Sequence, residues 1–315
     1  MKGSTKNIIP TLSELLKLEH LVASTGFSLL PKQPVHSVLA GKHASKLRGR
    51  GLDFEEVRKY VAGDDIRNID WRVTARTRIT STKVFTEEKE KPVLVISDMT
   101  PGMFFGSQVY TKTFIASQLA AIAAFKVLKN GDRFGGLIFD GEGCQIFSPR
   151  RNRAVVMQYL KAMIDQAQNL ADKNYPIQEK TQVVDKALLR VISMATHDYL
   201  ILFISDFQSV SASSKKHLIQ LSKHNDVILS RISDPLEEKL PQSKLVLSDG
   251  NLQLMCEAGK KNLGKKYETN YQEQKIGFYT EMEKYGIPIL SLNTIENIDT
   301  QLKSLFKTKL KTKRR

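Results

Sequence analysis

Two stretches of this chain end on the same pair of residues. VLVISDMTPG (93–102) runs four β-formers into Ser97-Asp98, and LFISDF (202–207) runs into Ser205-Asp206. A third apolar stretch, DRFGGLIFD, stops on Asp140. Carboxylates flanked by Ser and Thr hydroxyls suit a hard divalent cation, which takes oxygen ligands and keeps several waters. The same residues at strand ends also close turns and cap helices. Both readings stand at this point.

Other chemistry has less to stand on. The chain contains no GxSxG elbow, no GxxxxGK[ST] phosphate loop, no GxGxxG and no HExxH. Cys144 and Cys256 form no CxxC pair, so buried packing in a reducing compartment is the expectation for both. The histidines at 20, 36, 43, 197, 217 and 224 are scattered. The first residues lack the continuous apolar core of a secretory signal, and no run approaches a membrane span. A cytoplasmic protein is expected.

The elements that would position the aspartates are legible from periodicity. Continuous apolar strands alternate with helices from residue 92 onwards, and such strands must be covered on both faces. The expected fold is α/β, a doubly wound and mostly parallel sheet. In such a sheet, ligands gather at the carboxyl ends of the strands where strand order reverses. Asp98 and Asp206 are thereby expected at one edge. An alanine-rich helix is predicted over 111–129, stopped by Asn130-Gly131, and helices follow near 150–171, 182–195, 213–222 and 264–284. KLVLSDGNLQLM reads as a hairpin turning at Asp249-Gly250.

Before residue 92 the texture differs. Leu12, Leu15, Leu16, Leu18, Leu21 and Val22 recur at helical spacing. Residues 40–91 mix charges of both signs with few apolar runs, and short strands such as STKVFTEE are expected. The expected division is an N-terminal helical and mixed-charge module over 1–91, the α/β domain over 92–307, and a basic tail over 308–315. Within the module, Arg58, Arg67, Arg72, Arg76 and Arg78 interleave with Asp64, Asp65 and Asp70 around Trp71, the sole tryptophan. Carboxylate–guanidinium pairing inside the module is expected. A partner-docking face made of Arg58, Asp64, Asp65, Arg67, Asp70, Trp71 and Arg76 is the functional alternative. Lys and Arg number 48 against 33 Asp and Glu, a net charge of +15 that favours acidic partners.

The stretch RKYVAGDDIRNIDWRVTARTRITSTKVFTEE (58–88) resembles the signature of the bacterial domain of unknown function 58 family, as does RISDPLEEKLP (231–241). DMTPG at 98–102 resembles a variant of the D-x-S-x-S element of von Willebrand factor A-type domains. The resemblance covers about residues 35–307. It implies a degenerate von Willebrand factor A-like domain in which Asp98 is the metal-site aspartate, Thr100 the first hydroxyl, Thr181 the second-loop threonine and Asp206 the third-loop aspartate. Gly102 departs from the pattern, because it stands where the second serine would be. Mg2+ or Mn2+ is the implied cofactor.

Proteins of this family commonly travel with MoxR-type AAA+ ATPases. The resemblance therefore implies a non-enzymatic adaptor or co-chaperone that couples such an ATPase to client proteins. Two other functions remain open. A nucleic-acid-binding protein would use the net charge and the basic tail. A metal-dependent hydrolase would use Asp98 and Asp206.

Overall fold

Val93 and Val95 face one side of a sheet and Leu94 and Ile96 the other, and all four are buried in separate apolar clusters. A strand apolar on both sides has to be sandwiched, and the computed structural model places helices on both. It describes residues 7–24, 52–87, 92–172, 180–208, 210–239, 244–248, 253–257 and 261–311.

The chain divides into two units, one formed by residues 1–33 with 91–315 and the other by 34–90. The first unit opens with α1 (Leu12–Lys17), a short 3-10 turn, and α2 (Leu21–Ser24). Thr11 starts α1 with a reciprocal capping box to Glu14. The second unit pairs β1 (Leu52–Lys59) antiparallel with β2 (Ser81–Glu87), and α3 (Trp71–Thr77) lies between them in sequence. Asp70 caps α3 by accepting from the N–H groups of Arg72 and Val73. This helix is absent from the elements expected of the sequence. Val73, Thr74 and Thr77 are β-branched, and the cap outweighs their weak helix preference.

The first unit continues with β3 (Pro92–Asp98), α4 (Lys112–Asn130), β4 (Arg133–Phe139), β5 (Cys144–Arg150), α5 (Arg153–Asp172) and α6 (Lys180–Met194). Then follow β6 (Leu200–Ser205), α7 (Ala212–Ser222), β7 (Asp226–Ser233), α8 (Pro235–Glu238), β8 (Lys244–Ser248) and β9 (Gln253–Glu257). The last elements are α9 (Lys261–Lys284), β10 (Ile289–Asn293) and α10 (Ile298–Lys311). β8 and β9 form the expected antiparallel pair, and its turn at Asp249-Gly250 lies outside the described residues.

The main sheet has the order β10-β7-β6-β3-β4-β5. All its pairings are parallel except that of β5, which returns antiparallel from β4. α4, α5, α10 and the N-terminal helices share a cluster on one face, and α6, α7 and α9 share the cluster on the other. The doubly wound, mostly parallel α/β sheet expected from the sequence is the one observed.

Two boundaries differ from expectation. The expected division groups the N-terminal helix with the charged module, but Leu15, Leu18 and Val22 are buried in the cluster of α4 and α5. Arg153 closes the same contact with a bidentate pair to Glu19 at 2.6 and 2.8 Å. An apolar stripe is buried where an apolar partner exists, and the alanine-rich α4 supplies one. At the other end, helix α10 runs on to Lys311 and so takes in the first residues of the expected basic tail.

Candidate functional site

Strand order reverses at β3, which pairs with β4 on one side and β6 on the other. Ser97 lies opposite Ile204 in that register, so the carboxyl ends of β3 and β6 emerge side by side. This brings Asp98 and Asp206 to one edge, as the sequence implied, and both are buried.

Each carboxylate oxygen there accepts from a protein donor. Asp98 Oδ1 accepts from the Thr100 N–H at 2.9 Å and the Thr100 hydroxyl at 2.6 Å. Asp98 Oδ2 accepts from the Ser205 hydroxyl at 2.6 Å. Asp206 Oδ1 accepts from the Gln208 N–H at 3.1 Å, and Oδ2 from the Lys112 ammonium at 2.9 Å. Lys112 also donates to Glu237 Oε1 at 2.5 Å, and its side chain is only 1% exposed.

Lys112 is the first residue of α4. Thr111 caps that helix through the Phe114 N–H and donates its hydroxyl to the Ile8 carbonyl at 2.7 Å. The N-terminal segment thus helps fix where α4 begins. Glu237 is held twice over. Its Oε2 accepts from the Asp234 N–H at 3.1 Å in the capping box of α8, and its carbonyl accepts from the Tyr267 hydroxyl at 2.9 Å.

Asp234 ties three loops together. It accepts from the Ser107 N–H at 2.9 Å, the Ser107 hydroxyl at 2.6 Å, the Thr294 hydroxyl at 2.5 Å and the Leu236 N–H at 2.9 Å. Ser107 follows β3, Thr294 follows β10 and Leu236 follows β7. Burial opposes ionisation of Asp234, but its hydroxyl and N–H donors outweigh burial and hold the carboxyl below the usual range. Arg231, also buried, donates to the Asp206 carbonyl at 3.3 Å and to the Tyr271 hydroxyl at 2.8 Å. A cleft of about 350 Å3 opens beside this edge, lined in part by Phe207, Arg231, Tyr271, Lys275 and Phe278.

These residues do not fit a resident divalent ion. Such an ion needs several oxygen ligands, and here an ammonium already stands against Asp206 while the Thr100 and Ser205 hydroxyls donate to Asp98. Among the described residues, no group of three or more His, Cys, Asp or Glu is arranged to hold a metal. Thr181 lies in the first turn of α6, and its side chain is outside the described residues. Asp140 is spent on its own turn, accepting from the N–H groups of Glu142 and Gly143.

Residues 56–277 match the model of the family described as Protein of unknown function DUF58. The chain belongs to this family. The matched span contains Asp98, Lys112, Asp206, Asp234 and Glu237. The uncharacterized proteins Mb1516 of Mycobacterium bovis and Rv1480 of Mycobacterium tuberculosis are each 27% identical over 222 residues, covering 70% of this chain and 68% of theirs. Among solved structures, the conserved hypothetical protein BatB from Bacteroides thetaiotaomicron is similar at a TM-score of 0.43 and 11% identity, over 71% of this chain and 98% of that one. The von Willebrand factor domain of the type V pili tip protein Mfa5 from Porphyromonas gingivalis is similar at a TM-score of 0.34 and 11% identity, over 72% and 97%.

Two of the carboxylate–guanidinium pairs expected in the family signature of this DUF58 chain are present. Arg58 grips Asp64 through two bonds of 2.8 and 2.7 Å, and Arg67 pairs with Asp65 at 3.2 Å. The Arg58 guanidinium holds the Asp64 carboxyl below its usual range. Asp70 pairs with Lys83 at 3.6 Å instead of an arginine, because capping α3 turns its carboxylate toward β2. Trp71 and Arg76 are exposed.

Sequence reasoning missed Lys112, Asp234 and Glu237 in this DUF58 edge. Asp234-Pro235-Leu236-Glu237 carried a usable signal, since Asp, then Pro, then Glu at the third helical position is a helix-start pattern. Lys112 carried another, a cation in the first turn of a helix, where the dipole disfavours it. Cys144 is only partly buried, short of the buried packing expected of it, and burial, then the Asp140 charge, pushes its thiol up. The Cys256 side chain is outside the described residues. No helix among the described residues is long and apolar enough to cross a membrane.

Proposed function

We propose that this DUF58 protein is a non-enzymatic interaction protein, an adaptor or co-chaperone of a MoxR-type AAA+ ATPase that docks through the signature module. The observation that carries the reading is the exposure of Trp71. The residue is 69% exposed on a segment whose backbone is fixed by the Asp64, Asp65 and Asp70 contacts, and Ile66 and Val61 of the same module are exposed as well. Tryptophan dominates binding energy where interfaces bury it, and an ordered backbone lowers the entropy lost on docking. The partner class comes from the family resemblance, and the net charge of +15 suits an acidic partner face.

The test is capture of partners from native lysate by the tagged full chain, with nuclease treatment, beside a Trp71→Ala, Ile66→Ser variant. Nuclease-resistant recovery of an AAA+ ATPase, lost in the variant, supports the reading. Recovery of nucleic acid and its attendant proteins alone, abolished by nuclease, sinks it in favour of the basic surface.

A further inference from the structure

We propose that Lys112 is the resident cation of the sheet edge, standing in for a divalent ion and making the edge independent of metal. This goes beyond the adaptor reading and does not rest on it.

The position of Lys112 argues against an incidental ion pair. An ammonium at the first residue of α4, a helix of 19 residues, faces the positive end of the dipole. It is also almost wholly removed from water, which disfavours a charge unless it is paired. Both penalties are met by carboxylates brought from separate places in the chain, Asp206 after β6 and Glu237 on α8. The Phe105 ring, its centre 5.9 Å from Nζ, adds an aromatic neighbour.

The remaining aspartate is satisfied without a metal. Thr100 and Ser205 direct their hydroxyl hydrogens at Asp98, because a carboxylate in contact with a hydroxyl has no hydrogen of its own to give. The charge that a divalent ion would neutralise is met by Lys112 together with these donors.

The substitution changes what the edge can do. A bound Mg2+ keeps waters that an incoming carboxylate can displace. An ammonium has three donors, and two of those of Lys112 point at Asp206 and Glu237 inside the protein. The edge is therefore closed to metal-mediated capture of an acidic side chain.

The experiment measures thermal unfolding of the full chain, and Mn2+ binding by electron paramagnetic resonance, in chelator and in millimolar Mg2+ or Mn2+ at constant ionic strength. The wild type is expected to bind no stoichiometric Mn2+ and to keep its Tm in every condition. Lys112→Ala takes the ammonium away from Asp206 Oδ2 and Glu237 Oε1, and is expected to bind Mn2+ and to gain at least about 3 °C in Tm from it, because a ligand that binds only the folded state raises stability. Should Lys112→Ala fail to fold in every condition, Lys112→Gln takes its place under the same criteria. Saturable Mn2+ binding by the wild type that disappears in Asp98→Asn would overturn the proposal. So would a folded Lys112 variant that shows no response to either ion.

Discussion

The Ser205 hydroxyl crosses 107 residues of sequence to donate to Asp98 Oδ2 at 2.6 Å. The two strand ends that look alike in sequence are therefore joined directly, the serine of one to the aspartate of the other. Replacing Ser205 with Ala leaves Asp98 buried with one oxygen short of a partner. A loss of about 1–3 kcal/mol is expected, read as a lower urea midpoint with an unchanged slope.

Asp234 gives the protein an acid limb. Its folded pKa lies below the unfolded value near 3.8, so its contribution is fully present above the unfolded pKa and is lost as pH falls through the folded one. Asp234→Asn should flatten the decline of stability below about pH 4 while lowering stability at neutral pH. Urea titrations of both proteins between neutral and acid pH would check this, and parallel curves would contradict it.

Gly136 is a packing prediction. A Cβ there would stand inside the contact radius of the Tyr159 ring, which is locked between Phe134 and Phe147 and hydrogen-bonded to Ser97 at 2.7 Å. The ring has nowhere to retreat. Gly136→Ala should destabilise by about 1–3 kcal/mol or more, visible in the same denaturation assay, whereas Gly141→Ala, with nothing near its Cβ, should not.

Trp71 separates stability from binding. Its exposure predicts that Trp71→Ala changes stability by no more than about 0.5 kcal/mol. As the sole tryptophan, it also reports on its own surroundings. On addition of a docking partner free of tryptophan, its emission should shift to the blue. An unmoved spectrum in a complex proven by another method would place the interface elsewhere.

The strands and the meeting of Asp98 with Asp206 were legible because they depend on local pattern and on one topological rule. β3 and β6 are apolar without interruption, and their ends adjoin wherever strand order reverses between them. α4 was legible from Thr111 at its start and Gly131 at its end. The partner of Asp206 was not, because a lysine in the first turn of a helix signals an unfavourable dipole contact but not which carboxylates meet it. Only the arrival of β6 and α8 over its head buries it. The docking of the N-terminal helix is hidden for a similar reason: the stripe of Leu15, Leu18 and Val22 declares that something covers it, but not which element. α3 escapes notice because its cap, Asp70, sits among carboxylates that all read as ion-pair partners.

The N-terminal helix is buried against α4 and α5, and this imposes an order on biosynthesis. Translation delivers Leu15, Leu18 and Val22 long before the ribosome has made the helices that cover them. In the interval the nascent chain carries an apolar stripe with no native partner, while the intervening β1–β2 pair can close from contacts within its own stretch. A pause or truncation before α5 would leave that stripe open to chaperones and to aggregation.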